Sequence, residues 1–179
     1  RTDSRALPED YLPTVKDTLK ELAETQAFAT YARQILKQNW VKPNKRIFDN
    51  TKISDHFAII PTLQTPKHLN EAEQKLYDLV VRRFLAVFYP AAEYLQTTRI
   101  TRVEANSTAH HFKTEGRVLQ NAGWLAVYGR AAGEDNQNLP AIEQGERVPV
   151  LEVSAQANQT KPPPRYTEAT LLSAMEGAG

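Results

Sequence analysis

Apolar positions in the first ninety or so residues recur at helical spacing, and those that follow recur at strand spacing. Leu12, Val15, Leu19 and Leu22 lie three or four apart behind Pro8, Glu9 and Asp10, which suit a first helical turn, so the spacing predicts a helix over 8–24. Pro13 can shift its start by a turn. A second helix is expected over about 27–38, from Phe28 through Ile35 and Leu36, before Pro43 and Asn44 break it. Short extended pieces follow, KRIFDN and HFAIIPT. The clearest element runs from Asn70 to about Tyr89. Asn70 can cap it with Glu73 reciprocating, Leu76, Val80, Phe84 and Val87 form the expected apolar stripe, and Pro90 stops it.

Beyond Pro90 the chain turns to threonine and β-branched residues in partial alternation. Tyr94 to Val103, His111 to Leu119 and Arg147 to Gln159 are the expected strands, with a short helix or turn near Trp124 and a polar loop over 133–138. The Lys-Pro-Pro-Pro run over 161–164 is a stiff connector and reads as a boundary. A last short helix is expected from Thr167, a good cap residue, with Leu171, Leu172 and Met175 on an apolar face for which the sequence supplies no partner element. That face is the expectation of a domain left unfinished. The fold class expected is α+β: a mainly helical domain over 1–91, an antiparallel β segment over 92–160 and a tail over 161–179.

Composition removes several chemistries. The 41% hydrophobic content is enough for a core, and the absence of cysteine excludes disulfides, thiolate metal sites and cysteine catalysis, in keeping with a cytoplasmic home. No apolar run approaches the roughly 18 to 20 residues that span a bilayer, so no membrane partner is expected. No serine sits in a nucleophile-elbow context and no glycine-rich phosphate loop exists. The neighbours His110 and His111 point to opposite faces of a strand and cannot chelate one metal together. A net charge of +1 gives no overall attraction to polyanions, so only local clustering can argue for nucleic acid. Residues 25–48 carry Arg33, Lys37, Lys42, Lys45 and Arg46 without an acid, interleaved with Tyr31, Trp40 and Phe48. This is either a single-strand-binding surface or a solvated basic surface around core aromatics, the latter being the commoner case. Arg82 and Arg83 pose the same choice between ligand and solvent.

Three short polar segments remain. Arg1-Thr2-Asp3-Ser4-Arg5 offers a bidentate phosphate donor, Asp55-His56 an imidazole donor, and the stretch from Pro162 to Glu168 a hydroxyl at a helix start, where backbone N–H groups also favour anions. His56, flanked by Phe57-Ala-Ile-Ile60, reads by itself as a buried, hydrogen-bonded histidine.

Taken in order, RTDSR followed by LPED, ISDHFAIIPT over 53–62 and PPPRYTEATLLSAMEGAG over 162–179 resemble type IA DNA topoisomerases across essentially the whole chain. Asp-His-x-Ala-Ile-Ile-Pro-Thr and Met-Glu-Gly-Ala-Gly are similar to the topoisomerase III branch. The resemblance implies a toroidal enzyme that cleaves one DNA strand, holds its 5′ phosphate on a tyrosine, passes another strand and reseals the break. The family's tyrosine would stand two residues ahead of Arg1, and this stretch would be the moving gate, inactive alone. It implies that Arg1 contacts the phosphate near the tyrosine, that Thr2 and Asp3 organise the same loop, and that His56 helps to hold the scissile phosphodiester. Arg165 and Thr167 would lie near the single-strand path. Arg1 and His56 are thus the catalytic expectation; Arg1, Thr2, Asp3, His56, Arg165 and Thr167 are the DNA-binding one. No metal or other cofactor is expected in this stretch, since the parent's Mg²⁺ belongs to another domain. The implied partners are single-stranded DNA, the parent's remaining domains and, through an unpaired sheet edge, another copy of the chain. From the residues alone, a non-catalytic single-strand-binding or adaptor module is the alternative.

Overall fold

A computed structural model describes residues 2, 4–131 and 139–178, so Arg1, Asp3 and the predicted loop over 133–138 lie outside the described residues. The architecture is α+β and divides into two compact units, Arg1–Pro140 and Ala141–Gly179.

In the first unit a 3-10 turn, Glu9–Tyr11, leads into α1, Leu12–Glu24, with Pro13 in its first turn, where a missing N–H is harmless. The helix therefore starts one turn later than its first acidic residues suggest. Val15, Leu19 and Leu22 are buried, as their spacing predicts, together with Thr18 and Ala23. Thr18 tolerates burial because its hydroxyl donates to the Thr14 carbonyl at 2.9 Å. α2, Ala29–Lys37, packs on α1 through Ala32 and Ile35. α3, Glu71–Phe88, opens with the predicted capping box: the Glu73 amide donates to the Asn70 side chain at 3.0 Å and the Asn70 amide to the Glu73 carboxylate at 2.9 Å.

The face α3 buries is not the one its sequence pattern predicts. Leu76 is exposed and Val80 and Val87 only half buried, while Val81, Phe84, Leu85, Ala86 and Phe88 form the core side. Both faces of this helix carry apolar residues, and packing against α2 and the turn over 123–128 selects between them.

Tyr31, Trp40 and Phe48 of the basic stretch join or pack on this core, and Trp40 meets Tyr89 edge-to-face at 4.8 Å. Tyr89 donates to the Gln34 side chain at 3.0 Å, and burial pushes its phenol up to about 12. Lys45 is paired with Glu9 at 2.8 Å, so the stretch is largely a basic surface over core aromatics.

After Pro90 the chain forms one hairpin, β1, Glu93–Ala105, and β2, Thr108–Asn121, paired antiparallel along their length. Both strands run longer than their alternation predicts. The loop between them is only Asn106-Ser107, each at positive φ (50° and 59°), a two-residue connection whose twist matches the strands. β2 returns to a 3-10 turn, Gly123–Tyr128, which packs against α3; there Arg82 donates to the Val127 carbonyl at 2.6 Å. Arg82 is thus a structural contact.

In the second unit the strand expected over 147–159 does not form. A strand exists only when paired, and Pro149 removes a ladder donor near the start of this one. Helix α4, Glu168–Glu176, does form, because its signals are local: Thr167 accepts from the Thr170 amide at 3.2 Å and the Thr167 amide donates to the Thr170 hydroxyl at 2.8 Å. No helix among the described residues is long and apolar enough to cross a membrane.

Candidate nucleic-acid interface

The N-terminal segment is threaded through the first unit. Its Leu7 amide donates to the Ile47 carbonyl at 2.7 Å, and the Asp49 amide returns to the Leu7 carbonyl at 3.0 Å, a parallel bridge between Leu7 and Phe48. On its other side the Ala58 amide donates to the Ala6 carbonyl at 2.9 Å. Ser4 ties the segment to the turn, its hydroxyl donating to the Lys52 carbonyl at 2.8 Å while accepting from the Ala6 amide of its own segment at 3.1 Å. Thr2 completes the lacing, with its hydroxyl donating to the Phe57 carbonyl at 2.8 Å.

These bonds need the turn at 49–52 held in place. Asp49 caps it, accepting from the Thr51 amide at 3.1 Å and hydroxyl at 2.6 Å, with the Lys52 ammonium at 3.1 Å. Those hydrogen bonds, Thr51 first and Lys52 second, hold the Asp49 carboxyl down at about 2.

Thr2 and His56 are therefore brought together by bonds between their segments. Both line one cavity of about 770 Å³ with Asp55, and Tyr11 of the 3-10 turn with Thr14 and Thr18 of α1 line it too. The Tyr11 ring packs on Phe57 at 4.7 Å. His56 is exposed, which overturns its reading from the residues alone as a buried histidine. An exposed imidazole at a cavity mouth can donate to an incoming phosphate oxygen. Thr2 differs, since its hydroxyl is engaged within the fold. The wall from α1 is a site component that the apolar pattern passes over, although positions 11, 14 and 18 share one helix face.

Arg1 and Asp3 lie outside the described residues. Arg165 and Thr167 belong to the second unit, where both are exposed and Thr167 caps α4. Among the described residues no group of three or more His, Cys, Asp or Glu is placed to hold a metal ion.

Comparison with known proteins gives this cavity a context. A family model described as DNA topoisomerase matches residues 1–179. DNA topoisomerase 3 of Bacillus subtilis is 42% identical over 184 residues, covering 98% of this chain and 24% of that protein. Its counterpart in Bacillus licheniformis is 42% identical over 183 residues, with the same coverage. That of Bacillus cereus is 42% identical over 185 residues, 98% of this chain and 25% of its own. The chain thus spans about a quarter of the length of these relatives. With the match running through both the laced N-terminal segment and the His56 segment, the chain belongs to the type IA DNA topoisomerase family.

Proposed function

We propose that the chain is the gate portion of an enzyme that cleaves one DNA strand through a 5′-phosphotyrosyl link, passes a second strand through the break and reseals it. The observation that carries this reading is the lacing of the segment after Arg1 to the segment of His56, through Thr2 to Phe57 at 2.8 Å and Ala6 to Ala58 at 2.9 Å. Transfer of a phosphoryl group to tyrosine builds negative charge on the phosphorus and its oxygens. Cationic donors on one rigid element stabilise that charge without reorganising as it develops. In this reading Arg1 leads, His56 assists, and Thr2 and Asp3 keep their loop in register. Arg165 and Thr167 contact the strand beyond the break.

Residues 1–91 form the gate body in this proposal, 92–160 the arch and 161–179 the re-entry into a DNA-binding domain. The parent supplies the tyrosine, two residues before Arg1, and the Mg²⁺ site, so this stretch is inactive alone. Single-stranded DNA in the cytoplasm is its substrate, and the outer edges of the β1–β2 hairpin receive the parent's other strands. Separated from those strands, the same edges pair with a second copy of the chain.

In the full-length enzyme, His56→Ala is expected to slow cleavage of a single-stranded oligonucleotide by about 10²-fold, the scale of one transition-state donor, with little loss of non-covalent affinity. Equal loss in both would reduce His56 to a positioning contact, and a gene without tyrosine at the upstream position would overturn the reading.

A further inference from the structure

Residues 58–60 form a wall with a cavity on each side. One is the His56 cavity; the other, of about 300 Å³, lies between this wall, the N-terminal segment and the second half of α3. Leu7, Ile47, Phe84 and Phe88 give the second cavity an apolar lining, and Arg5 and Arg83 line it too.

The two arginines come from segments with no local connection, and no acidic residue stands among the lining residues. Both are exposed, and among the described residues neither has a hydrogen-bond or ion-pair partner. Arg82, one position earlier on α3, instead bonds the Val127 carbonyl at 2.6 Å and stays half buried. Two like charges at one cavity repel unless an anion lies between them. A planar guanidinium offers paired donors to phosphate oxygens, while the apolar lining suits a flat, weakly polar group. A nucleotide combines the two.

We propose that this cavity is a second nucleotide subsite of the gate. The phosphate of a single-stranded DNA nucleotide is held by Arg5 and Arg83, with its base against the Phe84 and Phe88 side of the cavity. The inference rests on the DNA-cleaving reading above and extends it to the far side of the wall. Arg5 follows Thr2 by three residues, a reach of at most ~11 Å. A strand lying against His56 therefore meets the second cavity within a few nucleotides.

The test uses the 179-residue chain and a fluorescent 5′-phosphorylated oligothymidylate, with anisotropy read across a salt series. Arg5→Ala and Arg83→Ala are each expected to weaken binding and to lower the slope of log affinity against log salt by about 0.7, whereas Arg33→Ala on α2 leaves both nearly unchanged. Titration with thymidine 5′-monophosphate is expected to shift the methyl resonances of Leu7, Ile47 and Ile60, and inorganic phosphate alone to shift them less.

Wild-type affinity and slope in the double arginine variant, in a chain that binds the oligonucleotide measurably, would overturn the second subsite and leave the DNA reading standing. Equal shifts with inorganic phosphate and nucleotide would reduce the site to an anion site and overturn the base contact. Absence of measurable binding by the wild-type chain also counts against the subsite, whereas the DNA-cleaving reading is decided separately by His56→Ala in the full-length enzyme. Both arginines are exposed, so folding of the variants is not at issue.

Discussion

Val15, Leu19 and Phe28 of the first unit are almost wholly withdrawn from water, whereas Leu151 and Val153 of the second are 92% and 86% exposed. Both units carry valine, leucine and isoleucine at regular spacing, yet no described residue of the second is buried. Apolar patterning proposes an element, and only a facing surface turns that proposal into free energy. α1, α2 and α3 supply one another with such surfaces. The stretch over 147–159 has none, and it stays without secondary structure.

The largest expected effect follows directly. Phe28→Ala removes a ring from a closed core and is expected to cost ~3–5 kcal/mol in urea unfolding, while Leu151→Ala stays within about 0.5 kcal/mol. A comparable loss at Leu151 would mean that the second unit has a packing surface after all.

Gly123→Ala probes the seam where the hairpin rejoins the helical body. Gly123 has φ +49° and a Cβ there would collide with the Ala91 carbonyl, so the substitution is expected to cost ~1–3 kcal/mol and to lower the thermal midpoint. An unchanged midpoint would show that the hairpin base is not coupled to the fold.

The two capping boxes sharpen the contrast further. Asn70→Ala is expected to lower global stability by about 1 kcal/mol, because α3 is part of the cooperative core. Thr167→Ala frays α4 and reduces helical circular dichroism without moving the global midpoint. The two substitutions delete the same kind of hydrogen bond, so any difference in outcome belongs to packing.

The smallest effect is a pH dependence. Asp49 is held at about 2, below its ordinary value of 3.8, so its ionised form is the one the fold prefers. Its contribution is complete above about pH 4 and is lost as the pH falls through 2. Asp49→Asn should flatten stability against pH in that window and leave the neutral-pH slope alone, as followed by acid titration of the helical signal. An unchanged acid profile would show that the N-terminal lacing does not depend on the carboxylate.

Much of the fold was legible in the sequence because its signals are local. Pro13 set the late start of α1, Asn70 with Glu73 set the start of α3, Pro90 its end, and Thr167 the start of α4. What was misread depended on partners. The buried face of α3 runs through Val81, Leu85 and Phe88 rather than Leu76 and Val80, since two apolar faces compete and the neighbouring helices choose. The candidate site divided in the same way. His56 became a candidate through the resemblance, while its burial was misjudged from flanking residues that themselves pack on the core. Arg5 and Arg83 were each noticed separately, but that they line one cavity was not, because nothing in a linear pattern joins positions so far apart.

By itself, then, the sequence determined the helix caps, the strand-rich stretch after Pro90 and the family, since each rests on neighbours along the chain or on motifs read in order. Only the tertiary structure decided that the N-terminal segment is laced between the turn at 49–52 and the wall at 58–60, that His56 faces solvent across a cavity from α1, and that two arginines line one cavity on the wall's other side. Those outcomes depend on hydrogen bonds and packing between segments tens of residues apart, where the choice of partner is a matter of closure in space rather than of spacing in sequence.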